Sequence, residues 1–236
     1  MGGRYWFWMG ARLVVAIAIV AWAASYIGSG SGEKEFQKTL DAMKQVHSFR
    51  MAYSATPHTQ HNDLLWEVDC TRNLVHRQQH YVDTCTDPPA CTKQTDMSRE
   101  ELDWAVYEYV RQNDGSWAAG GHLASNTTQY LCGHLAEGTD SNLLPPIATM
   151  IRRGIIQKGD KKTVNGVRCR EWLVTLKGAP GGLEHDTLCL GLDDHLPYEM
   201  TVDWEHSRAT FSDYNSAIQL DVPEQIVKAT SANGSN

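Results

Sequence analysis

"KKTVNGVRCREWLVTL", residues 161–176, is the stretch on which the reading of the fold turns. Asn165-Gly166 is a strong signal for a tight hairpin, because both central residues of a type I′ turn need positive φ. The run after it is rich in β-formers and carries Cys169; the next strand-like run, "DTLCLGL", carries Cys189. A β-hairpin with paired cysteines predicts an antiparallel meander built for an oxidising compartment.

The same period of two appears elsewhere. "SFRMAYSA" sets Phe49, Met51 and Tyr53 against Arg50, Ala52 and Ser54. "DLLWEVDC" sets Leu64, Trp66, Val68 and Cys70 against Leu65, Glu67 and Asp69, and "NLVHRQQHYV" is a third strand. "MSREELDWAVYEYVRQNDGSW" fits either element. Ser98-x-x-Glu101 matches a capping box, but the Val/Tyr content and the Asp114-Gly115 turn before Trp117 favour strand. "HDTLCLGL", "DDHLPYEMTVDW" and "HSRATFSDYN" are three more short strands, with turns at Asp193-Asp194 and 205–207. "EKEFQKTLDAMKQVHSF" is an amphipathic helix with Phe36, Leu40, Met43 and Val46 on one face. "TDSNLLPPIATMIRRG" is a second helical region, its prolines near the first turn. A long antiparallel sheet with two helices on one face satisfies these elements most economically, which places the chain in the α+β class.

The N-terminus frames this domain. Leu13 to Ile27 is an uncharged apolar run behind Arg4 and Arg12. As a helix it would span about 22 Å, short of the roughly 30 Å hydrocarbon core of a bilayer. Tyr5 to Met9 would extend it if Arg12 snorkels. Residues 1–27 are therefore expected to be a single-pass anchor in the cytoplasmic (inner) membrane, N-terminus inside and domain in the periplasm or outside. The alternative is a signal peptide cleaved at Ala21-Trp22-Ala23, leaving the domain soluble in the periplasm. "GSGSG" at 28–32 reads as a flexible linker, 33–225 as the exported domain and 226–236 as a disordered tail.

Six cysteines without a Cys-x-x-Cys pair favour disulfides over redox or zinc chemistry. The expected pairs are Cys169–Cys189 across adjacent strands and Cys85–Cys91 across "TDPPA", which leaves Cys70–Cys132. The net charge of −7, with scattered Lys and Arg, argues against a nucleic-acid partner.

The order of elements and several phrases resemble the LolA-like superfamily. This is the fold of periplasmic lipoprotein carriers, of related mycobacterial lipid-binding lipoproteins and of the lipoprotein-sensing domain of an anti-sigma-factor regulator. The resemblance is carried by "FQKTLDAMKQVHSFRM" at 36–51, "EYVRQNDGSW" at 108–117, "TVNGVRCREWLVTL" at 163–176, "LDDHLPYEM" at 192–200, and "FSDYN" with "VP" within 211–223. It implies an unclosed antiparallel β-barrel, a strongly curved sheet whose concave face is covered by helices and holds acyl chains.

An acyl chain needs a wide apolar surface, and its burial is worth about 25 cal/mol per Å². Met51, Tyr53, Trp66, Val68, Trp172, Val174, Met200 and Trp204 stand at alternating strand positions that would line such a pocket; the alternative is that they fill an ordinary core. His58-x-x-His61 and His76-x-x-x-His80 lack a third ligand at diagnostic spacing and read as surface histidines, so no metal is expected. No G-x-S-x-G elbow is present, and Asp193-Asp194 reads as turn chemistry, so no catalytic residue is assigned. The sequons at Asn126 and Asn233 matter only in a eukaryotic secretory route. The expected function is a membrane-anchored, non-enzymatic domain without cofactor. It binds the acyl chain of a lipid or lipoprotein, with an envelope protein as a further possible partner. The alternative is a structural or sensory interaction domain of the cell envelope with a filled core.

Overall fold

The computed structural model describes residues 31–56, 60–83, 95–104, 107–122, 132–133, 146–179, 182–203, 206–219 and 222–227. The expected anchor, Cys85, Cys91, Trp204, His58 and both sequons lie outside the described residues.

Eleven strands form one antiparallel sheet among the described residues. They are β1 (Ser48–Ala55), β2 (Gln60–Asp69), β3 (Leu74–Asp83), β4 (Thr95–Trp104), β5 (Tyr107–Arg111), β6 (Trp117–His122), β7 (Gly154–Val164), β8 (Val167–Ala179), β9 (Gly182–Gly191), β10 (Pro197–Val202) and β11 (Ser207–Ser212). The spatial order is β6-β5-β4-β3-β2-β1-β11-β10-β9-β8-β7. The chain starts in the middle and walks out by hairpins to one edge. It then crosses to the other edge at β7 and walks back until β11 pairs with β1. β6 and β7 stay unpaired with each other, so the sheet does not close.

The local signals explain the hairpins. Asn165 and Gly166 both have positive φ, 49° and 82°, as the turn between β7 and β8 demands. The ambiguous 97–117 run is strand, folded back on itself: Leu102 on β4 lies opposite Tyr109 on β5.

Helices pack against one face of the sheet. In α1 (31–43), Phe36, Leu40 and Met43 are buried, as helical spacing requires, and Val46 just beyond it is buried too. α2 (Ile147–Arg153) has Pro146 at its N-cap and Arg152 and Arg153 in its last turn, where cations favour the helix dipole. These residues join Phe49, Val68, Val75, Ile156, Leu188, Leu190 and Phe211 in one core drawn from β1–β3 and β7–β11. A second, smaller cluster lies on the opposite face of β3–β5: Leu74, Leu102 and Tyr109, covered by Ile226 of a short helix α3 (224–227).

Two boundaries differ from the sequence expectation. The 28–32 linker is already helical at Ser31 and Gly32. A Cβ on Gly32 would lie 2.6 Å from Ile156 Cγ2, so this glycine serves close packing rather than flexibility. The tail expected from residue 226 loses its first residue to the fold, because Ile226 is 1% exposed.

Candidate functional site

Seven of the eight residues assigned to an apolar pocket share the α1 face of the sheet. A single cross-strand row links three of them: Trp172 on β8 opposes Leu188, which opposes Met200, then Ala209, then Tyr53 and Leu64. Met51 lies opposite both Trp66 and Phe211. Val68 and Val174 are buried in the same core. This face is filled by protein. Phe36 of α1 meets Trp172 edge-to-face at 6.1 Å, and Met43, Ile147 and Met150 pack into the same cluster. The residues that sequence reasoning left out, Phe49, Leu188, Leu190 and Phe211, stand on the same period-two pattern. α1 is tied near its N-terminal end by Glu35 Oε1, 2.6 Å from His195 Nδ1.

The apolar face turns polar toward β3–β5. Arg77, opposite Trp66, places its guanidinium 5.2 Å from the indole centroid. Its Nη2 lies 2.8 Å from Glu101, 3.0 Å from Asp103 and 3.6 Å from Glu108. Arg99 joins from the neighbouring position, paired with Glu101 and Glu108. Burial pushes the Asp103 carboxyl up to about 6; Arg77 opposes that rise, while Glu108 and Glu101 add to it. The sequence signal for this cluster was a charged residue at an inward position of β3.

The opposite face carries a ladder of cross-strand hydrogen bonds. Arg50 bonds Glu67 at 2.7 Å and Asp213 at 2.8 Å. Glu67 and Glu100 flank His76, and Glu100 also accepts from Arg111 at 2.7 Å. Burial alone would raise the Glu67 and Glu100 carboxyls, but bonds from His76, Arg50 and Arg111 outweigh it and hold both below the ordinary value. His76, expected on the surface, is thus buried, because β2 and β4 bring a carboxylate to each ring nitrogen. His61 and His80 pair separately with Asp63 and Asp96. Among the described residues no group of three His, Cys, Asp or Glu side chains is arranged to hold a metal ion.

Farther along this face, Lys162 bridges Glu171 and Glu199, and Arg208 clamps the other oxygen of Glu199. An open groove of about 720 Å³ runs between these ladders, over Ala52, Leu65, Gln78, Ser98 and Thr210. Among the described residues two disulfides are in place, Cys169–Cys189 and Cys70–Cys132.

No protein-family model matches the chain, and no curated protein matches it by sequence. Solved structures do. LprF from Mycobacterium bovis is similar at TM-score 0.58 and 12% identity, over 83% of this chain and 98% of LprF. Looser likenesses are to the MucA/MucB complex of Pseudomonas aeruginosa (TM-score 0.40, 11% identity, 84% of this chain and 60% of that one). Another is to the LolA superfamily protein NE2245 of Nitrosomonas europaea (TM-score 0.24, 12% identity, 83% and 96%). At such identities the likeness to LprF is one of fold alone.

Proposed function

We propose that the chain is a non-enzymatic domain, anchored outside a membrane by residues 1–27, that takes the acyl chain of a lipid or lipoprotein between its sheet and α1. One observation carries the reading: among the described residues, apolar side chains from eight strands share a single face, and the thirteen-residue amphipathic helix α1 and the short helix α2 pack against it. The methylenes of an acyl chain can replace the side chains of α1 against that face at little net cost, since each buries similar apolar area. Trp66, Trp172, Met51 and Met200 would then touch the chain. The likeness in fold to LprF supports the reading.

The test uses the full-length protein, delipidated and held in amphipol. A fluorescent fatty-acid analogue should bind saturably near one equivalent and be competed off by a lipopeptide. Failure of folded, delipidated protein to bind would overturn the reading. It would favour the second one, an envelope-protein interaction module, for which the open groove on the opposite face is the specific observation.

A further inference from the structure

In one contact cluster on the α1 face, Trp66 Nε1, Arg77 Nε and Asp103 Oδ2 are buried without a hydrogen-bond partner among the described residues. They belong to residues joined through Arg77, which lies over the Trp66 ring and bonds the other oxygen of Asp103 at 3.0 Å. Trp66 is 7% and Asp103 1% exposed. Buried N–H and carboxylate groups are satisfied in nearly all folded proteins, so three unsatisfied ones in one contact cluster point to an occupant. Two of the three are donors and one is an acceptor.

We propose that Trp66, Arg77 and Asp103 form a subsite for an uncharged head group bearing an acceptor oxygen beside an O–H or N–H. The chemistry is that of the glycerol hydroxyls or the amide at the end of an acyl chain. The inference rests on the acyl-binding reading and names the polar end that the same face would hold. The oxygen accepts from Trp66 Nε1 and Arg77 Nε, and the O–H or N–H donates to Asp103 Oδ2. Charge selects against an anion. Glu101, Asp103 and Glu108 outnumber Arg77 and Arg99, and both guanidinium groups are already engaged with these carboxylates. A phosphate or free carboxylate would add a further negative charge to a desolvated acidic cluster. The apolar residues beside the cluster, Met51, Val68 and Val75, supply the surface for the chain that follows the head group.

The experiment uses the full chain in amphipol and diazirine-bearing C16 probes of four kinds: no head group, monoacylglycerol, primary fatty amide and fatty-acid carboxylate. Crosslinks to peptides from 48–69 and 167–176 report the α1 face; crosslinks within 1–30 report the anchor and are set aside. The proposal expects the monoacylglycerol or the amide to label the face at severalfold lower concentration than the headless and carboxylate probes. Whichever of the two neutral probes labels better identifies the source of the chemistry. Trp66→Phe keeps the ring and removes only the N–H. It should bring the neutral probe to the level of the headless one measured on the same variant, and far-UV circular dichroism with the urea midpoint shows that the variant is folded. Equal labelling by all four probes, or labelling indifferent to Trp66→Phe, overturns the subsite, leaves it to buried water and spares the acyl-binding reading. Preferred labelling by the carboxylate overturns the selectivity for uncharged groups. No labelling of the face by any probe overturns both.

Discussion

Glu67 Oε2 and His76 Nδ1 are hydrogen-bonded at 2.9 Å between directly opposed positions of β2 and β3. The other ring nitrogen of His76 lies 3.0 Å from Glu100 on β4. One imidazole thus meets a carboxylate at each of its nitrogens and joins the three strands.

Replacing His76 with Gln removes the ring that bonds both carboxylates. At pH 7 it should cost roughly 2–3 kcal/mol of stability. Glu67 and Glu100 are both held below the ordinary carboxylate value of 4.5, so the stability they contribute is present above that value and is lost as pH falls through their lowered ones. Urea unfolding of both proteins should therefore show a wide gap at pH 7 that narrows below about pH 4. A gap of equal size at both pH values would refute the bridge.

Asp103 has the opposite sign. Its carboxyl is held near about 6 against an ordinary 3.8, so ionising it in the folded state is penalised above pH 6, and the penalty fades as pH falls toward 4. At about 1.4 kcal/mol per pH unit, the penalty at neutral pH is on the order of 3 kcal/mol. Asp103→Asn, which keeps the shape, should raise the unfolding midpoint at pH 7.5 and change it little at pH 4. A variant less stable at pH 7.5 would mean that the ion pair with Arg77 outweighs the burial of the charge.

The disulfide Cys169–Cys189 staples β8 to β9 diagonally, since Cys189 lies directly opposite Glu171. The double replacement by Ala avoids a free thiol and should cost about 2–5 kcal/mol. Thermal unfolding checks the cost, and peptide mapping without reductant checks the bond. Recovery of both residues as free thiols from exported protein would contradict it.

Gly191 ends β9 where the chain folds back on itself. A Cβ there would lie 2.0 Å from Asp194 Oδ1 and 2.9 Å from the Tyr198 ring. Asp194 cannot simply swing away, because its carboxylate accepts from Leu196 N at 3.1 Å and from the Tyr198 hydroxyl at 2.5 Å. Gly191→Ala should therefore cost roughly 1–3 kcal/mol. In an Asp194→Gly background the added cost should shrink, and a double-mutant cycle in urea measures the coupling.

The amino-acid sequence determined by itself what depends on neighbours a few residues away. Phe49, Met51 and Tyr53 share a face because strand side chains alternate, and Phe36, Leu40 and Met43 share one because helical turns repeat. Asn165-Gly166 set the β7–β8 hairpin, and with the next hairpin that was enough to bring Cys169 and Cys189 together. Other features were decided only by the tertiary structure, because they depend on partners far apart along the chain. β11 lies against β1 across more than 150 residues, a pairing specified by burial summed over the whole sheet rather than by any local period. The alternation that pointed Trp66 inward said nothing of what covers it. Strand parity likewise placed Arg77 inward, yet its partners Glu101 and Asp103 arrive on β4, another strand. Gly32 read as linker and Ile226 as tail because neither carries a local pattern. Each is held by one contact surface, Ile156 for the first and Leu74, Leu102 and Tyr109 for the second, which exists only once the sheet has formed.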